Sequence, residues 1–222
     1  MLRNEGWKVN HKRVHRLWRQ EGLSIERKPK KPRSKGDEKN ACHVREAKVV
    51  NEAWSVDFVC DQTEDGRKLK ILTVVDDWTR EALAVRVARK MGHRDVAKVL
   101  GRLIGQRGAP SFIRSDNGSE FVAGGLKMTM DEFGVETAQV APASPWQNGR
   151  NERLNGTLRY ELLDREVFTT LMEARVLHEQ WKKRYNEVRP HGALNFMTPS
   201  AFAKHERLRG AVYEGDVCSD SH

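Results

Sequence analysis

The sequence predicts an α/β domain, a mixed sheet covered by helices on both faces, preceded by a short basic segment. Three observations carry this reading. From about residue 49, apolar β-branched runs alternate with amphipathic stretches, in the order three strands, helix, strand, helix, strand, then helices. The first three runs are joined by short turns, as in an antiparallel meander. Charge is also unevenly placed. Residues 1–48 hold 15 Lys and Arg against 6 Asp and Glu, whereas the remainder holds 25 of each, so the net charge of +9 belongs to the N-terminal end. Such a basic arm suits a polyanion, nucleic acid being the usual one, although a solvated surface would look the same by charge alone.

Taken in order, residues 8–22 place Val9, Val14, Leu17 and Trp18 near helical spacing, with Asn10 as N-cap, Arg19 in the last turn and Gly22 as the C′ residue. This short basic helix suits a DNA-facing module. The segment before it is too short to complete a helix-turn-helix, so residues 1–26 read as a partial one. Residues 27–40, RKPKKPRSKGDEKN, contain no apolar side chain and read as a linker, which we extend to residue 48. Trp54–Cys60 is the first strand. The turn Glu64-Asp65-Gly66 leads to a second at Leu69–Val75, and Ala82–Val87 is a third. Residues 94–106 put Val96, Val99, Leu100, Leu103 and Ile104 on one helical face. Phe112–Arg114 is a short buried strand, followed by Ser115-Asp116-Asn117-Gly118. A helix over 119–133 ends at Gly134, Val135–Val140 is the last strand, and helices cover about 146–164 and 170–186. The core domain spans 49–209, and residues 210–222 are expected to be disordered. The element order is that of the ribonuclease-H-like fold.

Several function classes are excluded or disfavoured. No run of eighteen apolar residues is present, so no membrane span is expected, and the N-terminus lacks a secretory pattern. A cytoplasmic, nucleoid-associated protein is the expectation. Cys42, Cys60 and Cys218 are odd in number, far apart and without a Cys-x-x-Cys, so neither a disulfide framework nor a zinc ribbon is suggested. His11 and His15 have i, i+4 spacing but no cysteine pair, and read as exposed histidines rather than as a zinc site.

Three acids stand out by position. Asp57 interrupts an apolar strand, and alternation turns it to the face opposite Val56 and Phe58. Burial there needs a cation or hydrogen-bond donors; an edge position or an arginine partner would also serve. Asp116 follows a buried strand directly, where functional acids of α/β sheets sit, although Asp-Asn-Gly is also ordinary turn and capping chemistry. Glu152 shares a helical face with Asn148, Asn155 and Arg159, while Leu154, Leu158 and Leu162 line another; alone this could be a solvated polar face. Together, a strand acid, a strand-end acid and a helix acid match what phosphoryl transfer with two metal ions about 3.5–4 Å apart requires. Mg²⁺ takes oxygen ligands and keeps several waters, so two or three carboxylates suffice.

The flanking residues go further. SDNGSEF surrounds Asp116, SPWQNGRNERLNGTLR surrounds Glu152 with 35 residues between the two acids, and YNEVRPHGALNFMTPSAF follows. This pattern resembles the integrase-type catalytic core of retroviral integrases and insertion-sequence transposases, above all the second-frame transposases of two-frame bacterial insertion sequences. EGWKVNHKRVHRLWRQEGL resembles the end of the helix-turn-helix that precedes that core. The resemblance covers roughly residues 5–205. It implies a ribonuclease-H-like fold, a requirement for Mg²⁺ or Mn²⁺, in two ions, and a site at Asp57, Asp116 and Glu152. Asn117 and Gly118 would shape the turn beside the metals, and Asn148 and Gly149 the entry to the catalytic helix. DNA contacts are expected from Arg159, Asn148, Arg150 and Asn155, and from Lys12, Arg13 and Arg16 on the basic helix. Arg189, Pro190 and His191 match a C-terminal motif for which packing is the preferred reading. Arg153 and Leu154 depart from the small and aromatic residues usual after the glutamate. The front of the chain also lacks part of the family's helix-turn-helix.

The implied activity is 3′-end cleavage of the element followed by strand transfer, on DNA, in a homo-oligomer, with a possible upstream-frame partner protein. Two alternatives share the residues: a nuclease that nicks without joining, and a truncated DNA-binding regulator of transposition that lacks strand transfer.

Overall fold

The computed structural model describes residue 6 and residues 10–23, 46–115, 128, 130–139 and 149–217. The chain divides into two units, Met1–Arg45 and Glu46–His222. In the first, helix α1 spans His11–Gln20. The Asn10 side chain accepts from Lys12 N at 3.0 Å. At the other end Gly22 N donates to Arg19 O and Leu23 N to Trp18 O, with Gly22 at φ +64°, a glycine-closed helix end. Lys12, Arg13 and Arg16 are all exposed. The expected linker falls almost wholly outside the described residues.

The second unit is built on a five-stranded sheet in the order β3-β2-β1-β4-β5. The strands are β1 (Ala53–Gln62), β2 (Lys68–Asp76), β3 (Ala82–Ala88), β4 (Phe112–Ser115) and β5 (Glu136–Gln139). β1 to β3 form an antiparallel meander, and β4 and β5 add in parallel with β1. Helix α2 (His93–Arg107) makes the crossover from β3 to β4. Of the helix expected over 119–133, only residues 128 and 130–133 are described; 128 and 130–132 are helical, and Gly134 follows at φ +67°.

Strand alternation sorts the core into two layers. Trp54, Val56, Leu72 and Val74 pack with Val96, Leu100, Leu103 and Ile104 of α2. Val59, Ile71, Val75, Val85 and Val87 face the other way. That second face is covered by α3 (Gly149–Leu158) and α4 (Leu171–Glu187) through Leu154, Leu158, Ala174, Trp181 and Tyr185. Full burial of each such leucine contributes about 1.5–3 kcal/mol over an exposed position. The leucine stripe therefore decides which side of α3 faces the sheet, and with it where Glu152 points.

Two features differ from the sequence reading. A π-helical turn, Arg159–Leu163, follows α3, closed by Asp164 N donating to Arg159 O at 2.8 Å. It aims Glu161 at Trp181 Nε1 (3.1 Å) and Arg189 Nε (2.7 Å), contacts that reward the widened turn. At the C-terminus, α5 spans Pro199–Val217, so helix continues past residue 209 into the segment expected to be disordered. Ala211, Val212, Tyr213 and Glu214 contain no helix stop, and Gly210 and Gly215 cost only about 1 kcal/mol each.

His178 on α4 is fully buried, its Nδ1 lies 2.6 Å from Ala174 O, and its Nε2 has no partner. Burial pushes its pKa below the usual histidine value, against weaker upward pulls from the Ala174 carbonyl and Asp61. The unfolded chain therefore binds the proton more tightly than the folded one. Stability conferred by neutral His178 is full above about pH 6.5 and declines as pH falls through that value. Melting curves from pH 7.5 to 5 should show wild type losing stability relative to His178→Leu; parallel curves would contradict this.

Candidate active site

Asp57 sits mid-β1, half-buried, on the face covered by α3. Its Oδ1 accepts from Phe58 N at 2.7 Å, and its Oδ2 accepts from Asn155 Nδ2 at 2.8 Å. Its register partner on β2 is Thr73. Thr73 is fully buried, and its Oγ1 lies 2.9 Å from Oδ1 of both Asn151 and Asn155. The single hydroxyl proton serves these two acceptors and the Asp57 carbonyl, 3.3 Å away, in turn. Asn151, also fully buried, donates back to Thr73 O at 3.3 Å. Two asparagines one helical turn apart thus lock α3 onto adjacent residues of β1 and β2.

This lock fixes the position of Glu152. At about 100° per residue, Glu152 lies beside Asn155 on the helix surface, away from the leucine stripe. Its side chain is exposed in the first turn of α3. Glu152 thus stands on a helix pinned to the Asp57 carboxylate itself. β4 pairs in parallel with β1, with Ser115 level with Val56. The strand that leads into residue 116 therefore ends beside the strand carrying Asp57. Asp116, Asn117, Gly118 and Asn148 themselves lie outside the described residues. Among the described residues no three His, Cys, Asp or Glu side chains converge; the expected set includes Asp116.

The end of β4 is held by a buried ion pair. Arg114 Nη1 donates to Asp77 Oδ2 at 2.7 Å, and Ser55 Oγ donates to Asp77 Oδ1 at 2.6 Å. Asp77 and Arg114 are both buried. Burial pushes the Asp77 carboxyl above the usual range, opposed by the Ser55 hydrogen bond and by the charges of Arg114, Arg80 and Arg150. Next to it, Asp76 Oδ1 accepts from Trp78 N and Thr79 N, closing the turn into β3.

The other expected DNA-contact residues divide. Arg150 and Arg159 are exposed on α3 and at the start of the π turn. Asn155 is half-buried, and both ends of its amide are engaged within the protein, by Asp57 and Thr73. Arg189 pairs with Glu161, and the His191 ring meets Tyr185 edge-on at 4.7 Å between centroids, so that motif packs against α4 and the π turn. Sequence reasoning missed Thr73, Asn151 and the Asp77–Arg114 pair. The available signals were a polar residue in each of two apolar contexts and the paired aspartates ending β2.

The integrase core domain family matches residues 47–145, and a second integrase core domain family matches residues 133–199. The chain is 39% identical over 211 residues to the 31.7 kDa protein of insertion element IS407 from Burkholderia multivorans, covering 93% of this chain and 74% of that one. It is 29% identical to transposase InsD for insertion element IS2D of Escherichia coli (strain K12), covering 91% of this chain and 68% of that one. The HTLV-2 integrase catalytic core domain, solved in complex with magnesium, superposes with a TM-score of 0.54 at 18% identity, over 70% of this chain and 97% of that one. That likeness establishes the ribonuclease-H-like fold. The sequence relatives and family matches place this chain in the integrase-core family of insertion-sequence transposases.

Proposed function

We propose that the chain is a metal-dependent polynucleotidyl transferase, which cleaves DNA at the 3′ end of an insertion element and joins that end to a target. The observation that supports this most is the bond from Asn155 to Asp57, which docks the helix of Glu152 onto the strand of Asp57. The residues fit hard divalent cations. Asp57 brings two carboxylate oxygens to the strand on which the helix of Glu152 docks, and Glu152 is exposed. Asp57, Asp116 and Glu152 would hold Mg²⁺ or Mn²⁺, as two ions, and the metal would supply Lewis-acid activation of the attacking oxygen and charge neutralisation at the leaving one.

The protein's own part is positioning. Asn155 orients the Asp57 carboxylate, Thr73 and Asn151 hold the helix, and the Asp77–Arg114 pair holds the end of β4. Arg150 and Arg159, with Lys12, Arg13 and Arg16 in the N-terminal unit, supply positive charge for the DNA backbone. The HTLV-2 core was solved in a dimeric form. We extend this to a homo-oligomer of the present chain that holds two element ends.

The test is strand transfer from a pre-cleaved 3′-end oligonucleotide into a plasmid, in Mg²⁺ and in Mn²⁺, for wild type and Glu152→Gln. Joined products from wild type, reduced at least ~10³-fold in the variant, are expected for loss of a charged group acting in the transition state. Nicking without joining would replace this reading with a nuclease. DNA binding without either reaction, alike in both proteins, would leave a regulator.

A further inference from the structure

On the opposite side of Glu152 from Asp57 lies a pocket of about 380 Å³. Its charged and aromatic lining is Arg80, Arg150, Arg153, Arg189, Tyr185 and His191. Going round α3, Asn151 and Asn155 face the sheet, Glu152 comes next, and then Gly149, Arg153, Thr157 and Arg150, which form one wall of the pocket. Glu152 therefore stands between the Asp57 strand and the pocket.

The lining has a surplus of positive charge. Arg189 is paired with Glu161. Arg80 donates from Nη1 to the Asp77 carbonyl at 2.6 Å, and its backbone is held at φ +62°, in the left-handed region that non-glycine residues seldom adopt. The side chains of Arg150 and Arg153 form no hydrogen bond or ion pair among the described residues, while the Arg153 carbonyl accepts from Thr157 Oγ1 at 2.9 Å. The cations act on one another: burial lowers the Arg80 pKa to about 10, and the charge of Arg150 adds to that fall. His191 Nε2 is buried without a partner, and burial, then Arg189, holds that ring at about 4, so it is neutral at physiological pH. A neutral ring can donate one hydrogen bond to an anion without adding repulsion. Guanidinium groups converging from three segments match the oxygens of a phosphate, which they bind in bidentate fashion. The volume exceeds a bare ion and suits a nucleotide-sized unit.

We propose that this pocket, formed by Arg80, Arg150, Arg153 and His191, is a phosphodiester subsite that takes one backbone phosphate of the DNA, beside the carboxylate site. It rests on the transposase reading for its ligand but not on the carboxylate chemistry. A phosphate seated there would fix the strand on one flank of Glu152 while the reacting phosphate lies on the other.

The double variant Arg150→Gln/Arg153→Gln tests it, because both side chains are exposed and their loss spares the core. Anisotropy titrations of a short duplex are run in EDTA over a range of salt, so binding is read apart from catalysis. The salt slope of log K is expected to fall by about 0.9–1.8 in the double variant, for one or two lost contacts to phosphate. Arg94→Gln/Arg102→Gln, two exposed arginines on α2, is the control and should keep the wild-type slope. An unchanged slope in the pocket variant, or an equal fall in the control, would overturn the proposal. Inorganic phosphate separates the other source. If it raises the wild-type melting temperature more than the variant's while the DNA slope is unchanged, the pocket takes free phosphate and the DNA assignment fails. Strand transfer that persists with an unchanged slope would remove the subsite and leave the transposase reading intact; a reduced slope without any joining would do the reverse.

Discussion

Replacing Asp77 with alanine should destabilise the core by about 3–5 kcal/mol, the usual cost of removing one partner from a buried ion pair. Arg114 is only 7% exposed and would lose the Asp77 carboxylate from its surroundings. Ser55, fully buried, would lose its acceptor as well. The damage reaches the site because Arg114 lies on β4 in register with Ser55 on β1, at the strand end that leads into residue 116. Asp77→Asn should be milder, since an amide oxygen still accepts from Ser55, but Arg114 again loses the negative charge of this carboxylate. Urea unfolding of the three proteins measures the order: wild type, then Asn, then Ala. An alanine variant within 1 kcal/mol of wild type would mean that water or a neighbouring acid takes over Arg114. The pair would then be dispensable to β4.

Much of this arrangement is legible in the sequence, because it follows from one-dimensional patterns. Apolar β-branched runs mark β1 to β3, and the intrusion of Asp57 between Val56 and Phe58 sets it on the face away from α2. The leucines at 154 and 158, continued by Leu162 in the π turn, set the buried side of α3 and leave Glu152 outward. What escapes is chemistry between distant residues. Thr73 within LKILTVV looks like any β-branched strand residue until register places it opposite Asp57 and α3 packs across both. Asp77 and Arg114 are ordinary charged residues in sequence, and only the parallel pairing of β1 with β4 brings them together. The arginine pocket gathers residues from the β2–β3 turn, α3 and the segment after α4, so no local motif announces it. The run to Val217 in α5 was missed for another reason: Gly210 and Gly215 read as breakers, and Ala211, Val212 and Tyr213 between them are too few to show a helical period.

Asn155→Ala should lower the strand-transfer rate about 10²-fold while leaving DNA affinity unchanged, the signature of a positioning residue and not a DNA contact. The sequence pattern puts Asn155 beside Glu152 and Arg159 and suggests a side chain offered to DNA. The structure instead engages its Nδ2 with Asp57 Oδ2 at 2.8 Å and its Oδ1 with Thr73 at 2.9 Å. Alanine frees the Asp57 carboxylate to rotate and removes one of the two asparagines anchoring α3, while Asn151 and the leucines keep the helix docked. Asn155→Asp should be at least as damaging at neutral pH, because it sets a second carboxylate against Asp57 in place of a donor. Thr73→Val keeps the shape, removes the hydroxyl and should cost less, about 10-fold, the worth of a net hydrogen bond of 1–1.5 kcal/mol. Single-turnover joining rates beside anisotropy titrations separate the roles. A loss of affinity with normal joining at saturating DNA would return Asn155 to the DNA interface. A loss of rate at unchanged affinity, graded from valine at 73 to alanine and aspartate at 155, would identify the asparagine lock as the device that brings the glutamate helix to the aspartate strand.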